Sequence, residues 1–281
     1  MKKSMEISIL ALLLFVFLNY VDVHAANEED LTPTFKMILS TSISSFHYNQ
    51  PSMGKSDGNF AGVFLSGTFH LKSIMISAEL EHIFGNPLYE GRLYSYENDS
   101  LVTTDITRTT NYDRITEIRL LSGLDFISNN RLLTPFLGVA FYRWRGEFSG
   151  DDSYRKSPIY YYAPIGMQVT LPVDQKWSCM LRLEYDLIFS GNVKTHLSEG
   201  YSDSNDPENR IKFGDAYGLR FSADFKAKVT QGFKFVFQPY VIYWKVHETD
   251  STTAKYGDQR FEFNEPESDI TQYGIRIGLE F

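Results

Sequence analysis

Apolar and polar side chains alternate one by one over long stretches of this chain. In residues 73–84, Ile74, Ile76, Ala78 and Leu80 share one face, and Ser73, Ser77, Glu79 and Glu81 share the other. Residues 159–171 set Ile159, Tyr161, Ala163, Ile165, Met167, Val169 and Leu171 against Tyr160, Tyr162, Gly166, Gln168 and Thr170. Residues 177–189 and 213–227 repeat the pattern, with Arg182, Glu184 and Asp186, then Arg220, Asp224 and Lys226, on the polar faces. A period of two is the signature of a β-strand. A dozen alternating residues exceed the five or six or so of an average soluble strand and match the roughly 9–11 that cross a bilayer when tilted. Weaker alternation marks 34–46, 60–71, 116–126, 133–144, 233–246 and 270–281. The pattern predicts an all-β, antiparallel up-and-down transmembrane barrel of about ten strands, with eight or twelve as the alternative counts.

The connections alternate in length. Short turns fall at 72, 128–131, 172–176 and 230–232, and long polar connections at 48–59, 85–112, 146–157, 191–212 and 247–269. Short periplasmic turns and long extracellular loops have this rhythm, which places both termini in the periplasm. Pro135 and Pro239 fall inside strand candidates. Proline cannot donate to a ladder, so both are expected at bulges near the periplasmic rim.

Lys2 and Lys3, the apolar run from Ile7 to Tyr20 and the Val23-His24-Ala25 site read as a secretory signal over residues 1–25. Residues 26–281 then form one barrel domain. Composition agrees with that destination. Aromatic residues make up 15% of the chain, with 22 Phe and 18 Tyr, as interfacial girdles require. The mean hydropathy of −0.26 reflects cancelling faces rather than a soluble surface. A net charge of −8 offers no basic stripe for nucleic acid, and the single cysteine, Cys179, allows no internal disulfide.

Strand parity points Glu79, Glu81, Arg119, Arg182, Glu184, Asp186, Arg220, Asp224, Lys234, Arg276 and Glu280 into the lumen. Buried charges must be paired, so Glu79 or Glu81 is expected to meet Arg119, and Glu184 or Asp186 to meet Arg220. Two readings follow. The charges plug a narrow barrel whose function lies in its outer loops, or they line a small selective channel. No cofactor or metal is expected. The acidic stretch from Asp203 to Glu208 and the carboxylates Glu262, Glu265, Glu267 and Asp269 suggest calcium, but without an EF-hand spacing or its glycine they read first as solvated loops.

Tyr273, Ile275, Ile277, Leu279 and Phe281 alternate with Gly274, Arg276, Gly278 and Glu280 up to the last residue. This run resembles the C-terminal signal that outer-membrane proteins present to the barrel-assembly machinery. Thr134-Pro135-Phe136-Leu137-Gly138-Val139-Ala140-Phe141-Tyr142 resembles a strand motif of small porin-like barrels. Leu183-Glu184-Tyr185-Asp186 through Gly191, followed by Tyr217-Gly218-Leu219-Arg220, resembles a stretch of uncharacterised barrels in that broad family. The resemblance implies a Gram-negative outer membrane, with its lipid and lipopolysaccharide as surroundings.

A surface hydrolase of the omptin type is the remaining reading. Asp151-Asp152 could imitate the Asp pair of those ten-stranded proteases, yet neither His196 nor His247 has an Asp two residues away to complete the Asp–His pair. His82 faces lipid by parity, as does Cys179.

Overall fold

The computed structural model describes residues 34–91, 94–97, 100–103, 107–128, 131–148, 155–196, 208–212, 214–230, 232–256 and 259–281. The proposed signal, Asp151-Asp152 and residues 203–207 of the acidic stretch lie outside them. Ten strands form the wall: β1 (Thr34–Gln50), β2 (Gly54–Leu71), β3 (Ile74–Gly85), β4 (Thr107–Leu124), β5 (Arg131–Phe148), β6 (Arg155–Pro172), β7 (Trp177–His196), β8 (Ala216–Lys228), β9 (Lys234–Val246) and β10 (Ser268–Glu280). Each pairs antiparallel with its neighbours in sequence, and β10 pairs with β1 to close the ring. Closure leaves no wall strand with a free edge, the condition for a sheet in lipid. At the seam, the Phe281 N–H donates to the Met37 carbonyl at 2.9 Å, and the Met37 N–H donates back at 3.1 Å.

Outward faces carry the apolar set that alternation predicted. Leu137 is 66% exposed, Phe35 64% and Ile43 57%. Surfaces this apolar and this open are lipid-facing. Tyr273, Ile277, Leu279 and Phe281 are exposed on the same belt, and Ile275 is half-buried in it.

The strands run past the belt towards the long connections. The connection expected at 48–59 is mostly ladder, because β1 and β2 stay in register out to Gln50 and Gly54. Leu88–Gly91 extends β3 between β2 and β4, and Glu208–Ile211 extends β8 beside β7. Apolar residues are too few there, with Tyr48, Leu88, Tyr89 and Ile211 set among polar ones, for alternation to mark the strand. The pairing continues because open backbone groups need partners.

Pro135 and Pro239 correct the bulge expectation. Neither shifts the register. Each of Pro135, Pro158, Pro164 and Pro239 keeps its pairing with one neighbour, to Met167, Val193, Asp186 and Ile275 respectively. Each leaves a gap in the pairing with the other neighbour. The missing N–H costs a bond on one side only. Side chains bridge two of the gaps: Thr134 donates to Asp125 at 2.6 Å beside Pro135, and Gln238 donates to Asp224 at 2.5 Å beside Pro239. The register shift is elsewhere, between Tyr161 and Tyr162, where β7 holds the extra residue Phe189.

Candidate functional site: the filled lumen

Inward side chains form two tiers. The tier nearer the short turns is charged, and it joins strands that are not neighbours. Arg220 on β8 donates to Glu117 on β4 at 2.5 and 2.8 Å, and to Asp186 on adjacent β7 at 2.5 Å. Arg182 on β7 reaches Glu79 on β3 at 2.7 Å, and Arg276 on β10 holds Glu81 on β3 through two bonds of 2.8 and 3.0 Å. Arg119 on β4 meets its cross-strand neighbour Glu79 at 3.0 Å and crosses to Glu184 on β7. Glu280 accepts from Lys226 at 2.6 Å and from Lys234 at 2.7 Å.

The structure gathers Glu79, Arg119, Arg182, Glu184, Asp186 and Arg220 into one network, with Glu81 and Arg276 paired beside it, and both expected neighbour pairs form, Glu79 with Arg119 and Asp186 with Arg220. Glu81 pairs with Arg276, not Arg119. Glu184 lies only within 3.6 Å of the Arg220 Nε, whose hydrogen bond goes to Asp186. Asp224 accepts from Gln238 and stands apart from the arginines. Neighbouring strands account for only part of the pairing, because a ten-strand barrel is narrow enough for an arginine to span it. Glu117 was missed, although its parity with Arg119 on β4 was the available signal.

The guanidinium planes also stack on rings. Arg276 lies 4.1 Å from the Phe64 centroid and 4.3 Å from that of Tyr240, and Arg182 lies 4.6 Å from that of Phe136. Such contacts contribute roughly 0.5–2 kcal/mol each.

The second tier, towards the long connections, is an apolar core inside the barrel. Phe46, Tyr48, Phe60, Tyr142, Trp144, Tyr160, Tyr162 and Trp244 are buried there. Trp244 packs against Tyr142, Tyr160 and Tyr162 with centroids 4.5–5.4 Å apart. Each lumen indole finds a buried acceptor: Trp244 donates to Asp186 at 2.8 Å, and Trp144 donates to Asp113 at 2.9 Å. Tyr162 donates to Glu117 at 2.5 Å and so joins the tiers. Among the alternating residues, Tyr160 and Tyr162 already read as inward. That aromatic rings from five strands would meet was not legible.

Glycine makes room for this fill. A Cβ on Gly218 would lie 2.2 Å from a carbon of the Trp244 indole. A cavity of about 140 Å³ runs from the charged tier, where Glu79, Arg119, Arg182 and Arg220 line it, to His70 and Lys226 nearer the short turns. His70 there bonds Asp125 at 2.6 Å.

The remaining sequence candidates are dispersed. His82 faces outward and bonds Thr116 at 2.9 Å, and His247 sits 3.4 Å from Glu267. The acidic connection does not converge on a cation. Glu265 accepts from Gln50 at 2.9 Å, Glu267 from Lys245 at 2.7 Å and Asp269 from Tyr243 at 2.7 Å. Among the described residues no group of His, Cys, Asp and Glu is placed to hold a metal.

No family profile matches the sequence, and no curated protein matches it. Solved structures do. The outer membrane protease OmpT from Escherichia coli superposes with a TM-score of 0.63 at 11% identity, over 89% of this chain and 98% of that one. The fold is that of the outer-membrane β-barrels. The translocator domain of the autotransporter NalP from Neisseria meningitidis matches over 98% of this chain and 96% of its own, with a TM-score of 0.41 at 9% identity. Ail, the attachment invasion locus protein of Yersinia pestis, matches at 9% identity over 88% of this chain and 98% of its own, with a TM-score of 0.30. At 11% identity the likeness to the protease shows the fold alone and carries no activity with it.

Proposed function

We propose that the chain is an integral protein of the bacterial outer membrane with a closed lumen, its short turns in the periplasm and its long connections at the cell surface. It conducts no solute, and its function lies in what those surface connections contact. The observation that carries this reading is the pair of stacked tiers. Arginines bonded across the lumen to Glu117, Glu79 and Glu81 are capped by the aromatic core around Trp244. Small barrels are filled by their own side chains, whereas open channels need many more strands.

Single-channel recording of the refolded full chain in a planar bilayer tests it. A folded, inserted barrel without current steps is the expected result. Stable, salt-dependent steps would replace this reading with that of a small selective channel, and would make Arg182, Arg220 and Arg276 its selectivity residues.

A further inference from the structure

Above the apolar belt, the outward face of β4–β8 carries a row of cations. Arg143 and Arg145 on β5, with Ile159, Asn192, Lys194 and Glu208 from β6, β7 and the β8 extension, line a depression of about 210 Å³. Arg114 on β4 stands directly opposite Arg145, and Arg210 stands opposite Asn192. Like charges in direct cross-strand register repel. Among the described residues Arg114, Arg143, Arg145 and Arg210 have no carboxylate partner, and the Nε of Arg143 is buried with no hydrogen-bond acceptor. Glu208 is the carboxylate of the depression, and it accepts from Asn192 at 2.8 Å.

The height of this row decides what it meets. Arg143 is in register with Thr116 and Ile159. One row below, Phe141 is in register with Ile118 and Tyr161, and the Phe141 and Tyr161 rings lie 5.5 Å apart. The cations therefore begin two residues, about 7 Å, above the Phe141–Tyr161 row. That is the level at which lipid headgroup phosphates sit, at the end of the barrel with the long connections.

We propose that this depression binds the phosphate groups of a lipopolysaccharide-type glycolipid in the outer leaflet. Arg143 and Arg145 form its bidentate clamp, and the acyl chains lie on Phe141, Tyr161 and the belt below. Arginine suits the task because its planar fork matches phosphate geometry. A bound dianion would relieve the Arg114–Arg145 repulsion and supply the acceptor that the Arg143 Nε lacks.

The test uses the refolded full chain in neutral detergent, titrated with bisphosphorylated lipid A and followed by native mass spectrometry. The expected result is binding that weakens at least tenfold in Arg143→Ala/Arg145→Ala, recovers in part in Arg143→Lys/Arg145→Lys, and is absent for dephosphorylated lipid A. These side chains are on the outer surface, and an unchanged melting temperature without lipid verifies that the variants fold. Equal binding by the alanine variant, or equal binding of the dephosphorylated lipid, would overturn the proposal. Competition by millimolar inorganic phosphate would reassign the depression to a free anion. In a Cys179→Ser background, an Arg145→Cys chain should react with a membrane-impermeant maleimide on intact cells, and failure to react would also refute the proposal. None of these outcomes depends on whether the lumen conducts.

Discussion

Arg220 shows how much a single side chain can hold. Its guanidinium satisfies Asp186 on one side and Glu117 on the other, and it lies 5.2 Å from the Trp244 ring. Arg220→Ala leaves two buried carboxylates facing each other without their cation. The expected cost is about 3–5 kcal/mol of unfolding free energy, the usual effect of breaking a buried pair from one side. Urea titration of the refolded barrel measures it, and an unchanged midpoint would contradict the pairing. Asp174 works at the opposite extreme of burial. In the β6–β7 turn it accepts from the backbone N–H groups of Lys176 at 2.7 Å and Trp177 at 2.8 Å, and those bonds lower its pKa. A depressed carboxyl contributes stability above the ordinary carboxylate range and loses it as the pH falls through the folded-state value. Asp174→Ala should therefore melt below the wild type at neutral pH, with the gap closing on acidification. A gap that stays constant would assign the effect to something other than the charge.

At the scale of the strand, the fit between Gly218 on β8 and Trp244 on β9 is a constraint that parity cannot express. Gly218→Ala places a methyl group where the indole stands. Overpacking of this kind costs about 1–3 kcal/mol. The Trp244–Asp186 hydrogen bond should lengthen with it, visible as a changed near-UV dichroism of the tryptophans. An unaltered spectrum with full stability would mean that the ring has room to move. The last strand poses a separate question. Phe281 closes the seam through its backbone, while its ring is half exposed on the belt. Phe281→Ala should leave the refolded barrel nearly as stable as the wild type. If the terminal aromatic is the assembly signal, the same change lowers the amount that reaches the outer membrane in cells. Equal delivery of both chains would remove that role from Phe281.

At the scale of the whole molecule, the proposed closure of the lumen is distributed between two tiers of different chemistry. Loss of one ring should therefore weaken the barrel without opening it. Trp244→Ala is expected to cost about 3–5 kcal/mol, as aromatic truncations in cores do, and still to carry no current in a planar bilayer. Current steps in this variant, with a silent wild type, would place the whole barrier in the aromatic tier.

Alternation alone carried the architecture. Its period of two told lipid face from lumen face at Leu137 or Glu79, because a wall one residue thick has only two environments and each selects its own chemistry. The same parity placed the lumen charges, and the rhythm of connections told short turns from long ones. Parity is a property of one strand, so it is silent about distance across the ring. That Arg220 bonds Glu117 four strands away, that Glu81 belongs to Arg276, and that rings from many strands meet as one core depended on the closed circumference of the barrel. The outer extensions of β1 and β2 were equally hidden. Above the lipid the outward face turns polar as well, and the pattern that marks a strand disappears while its hydrogen bonds continue.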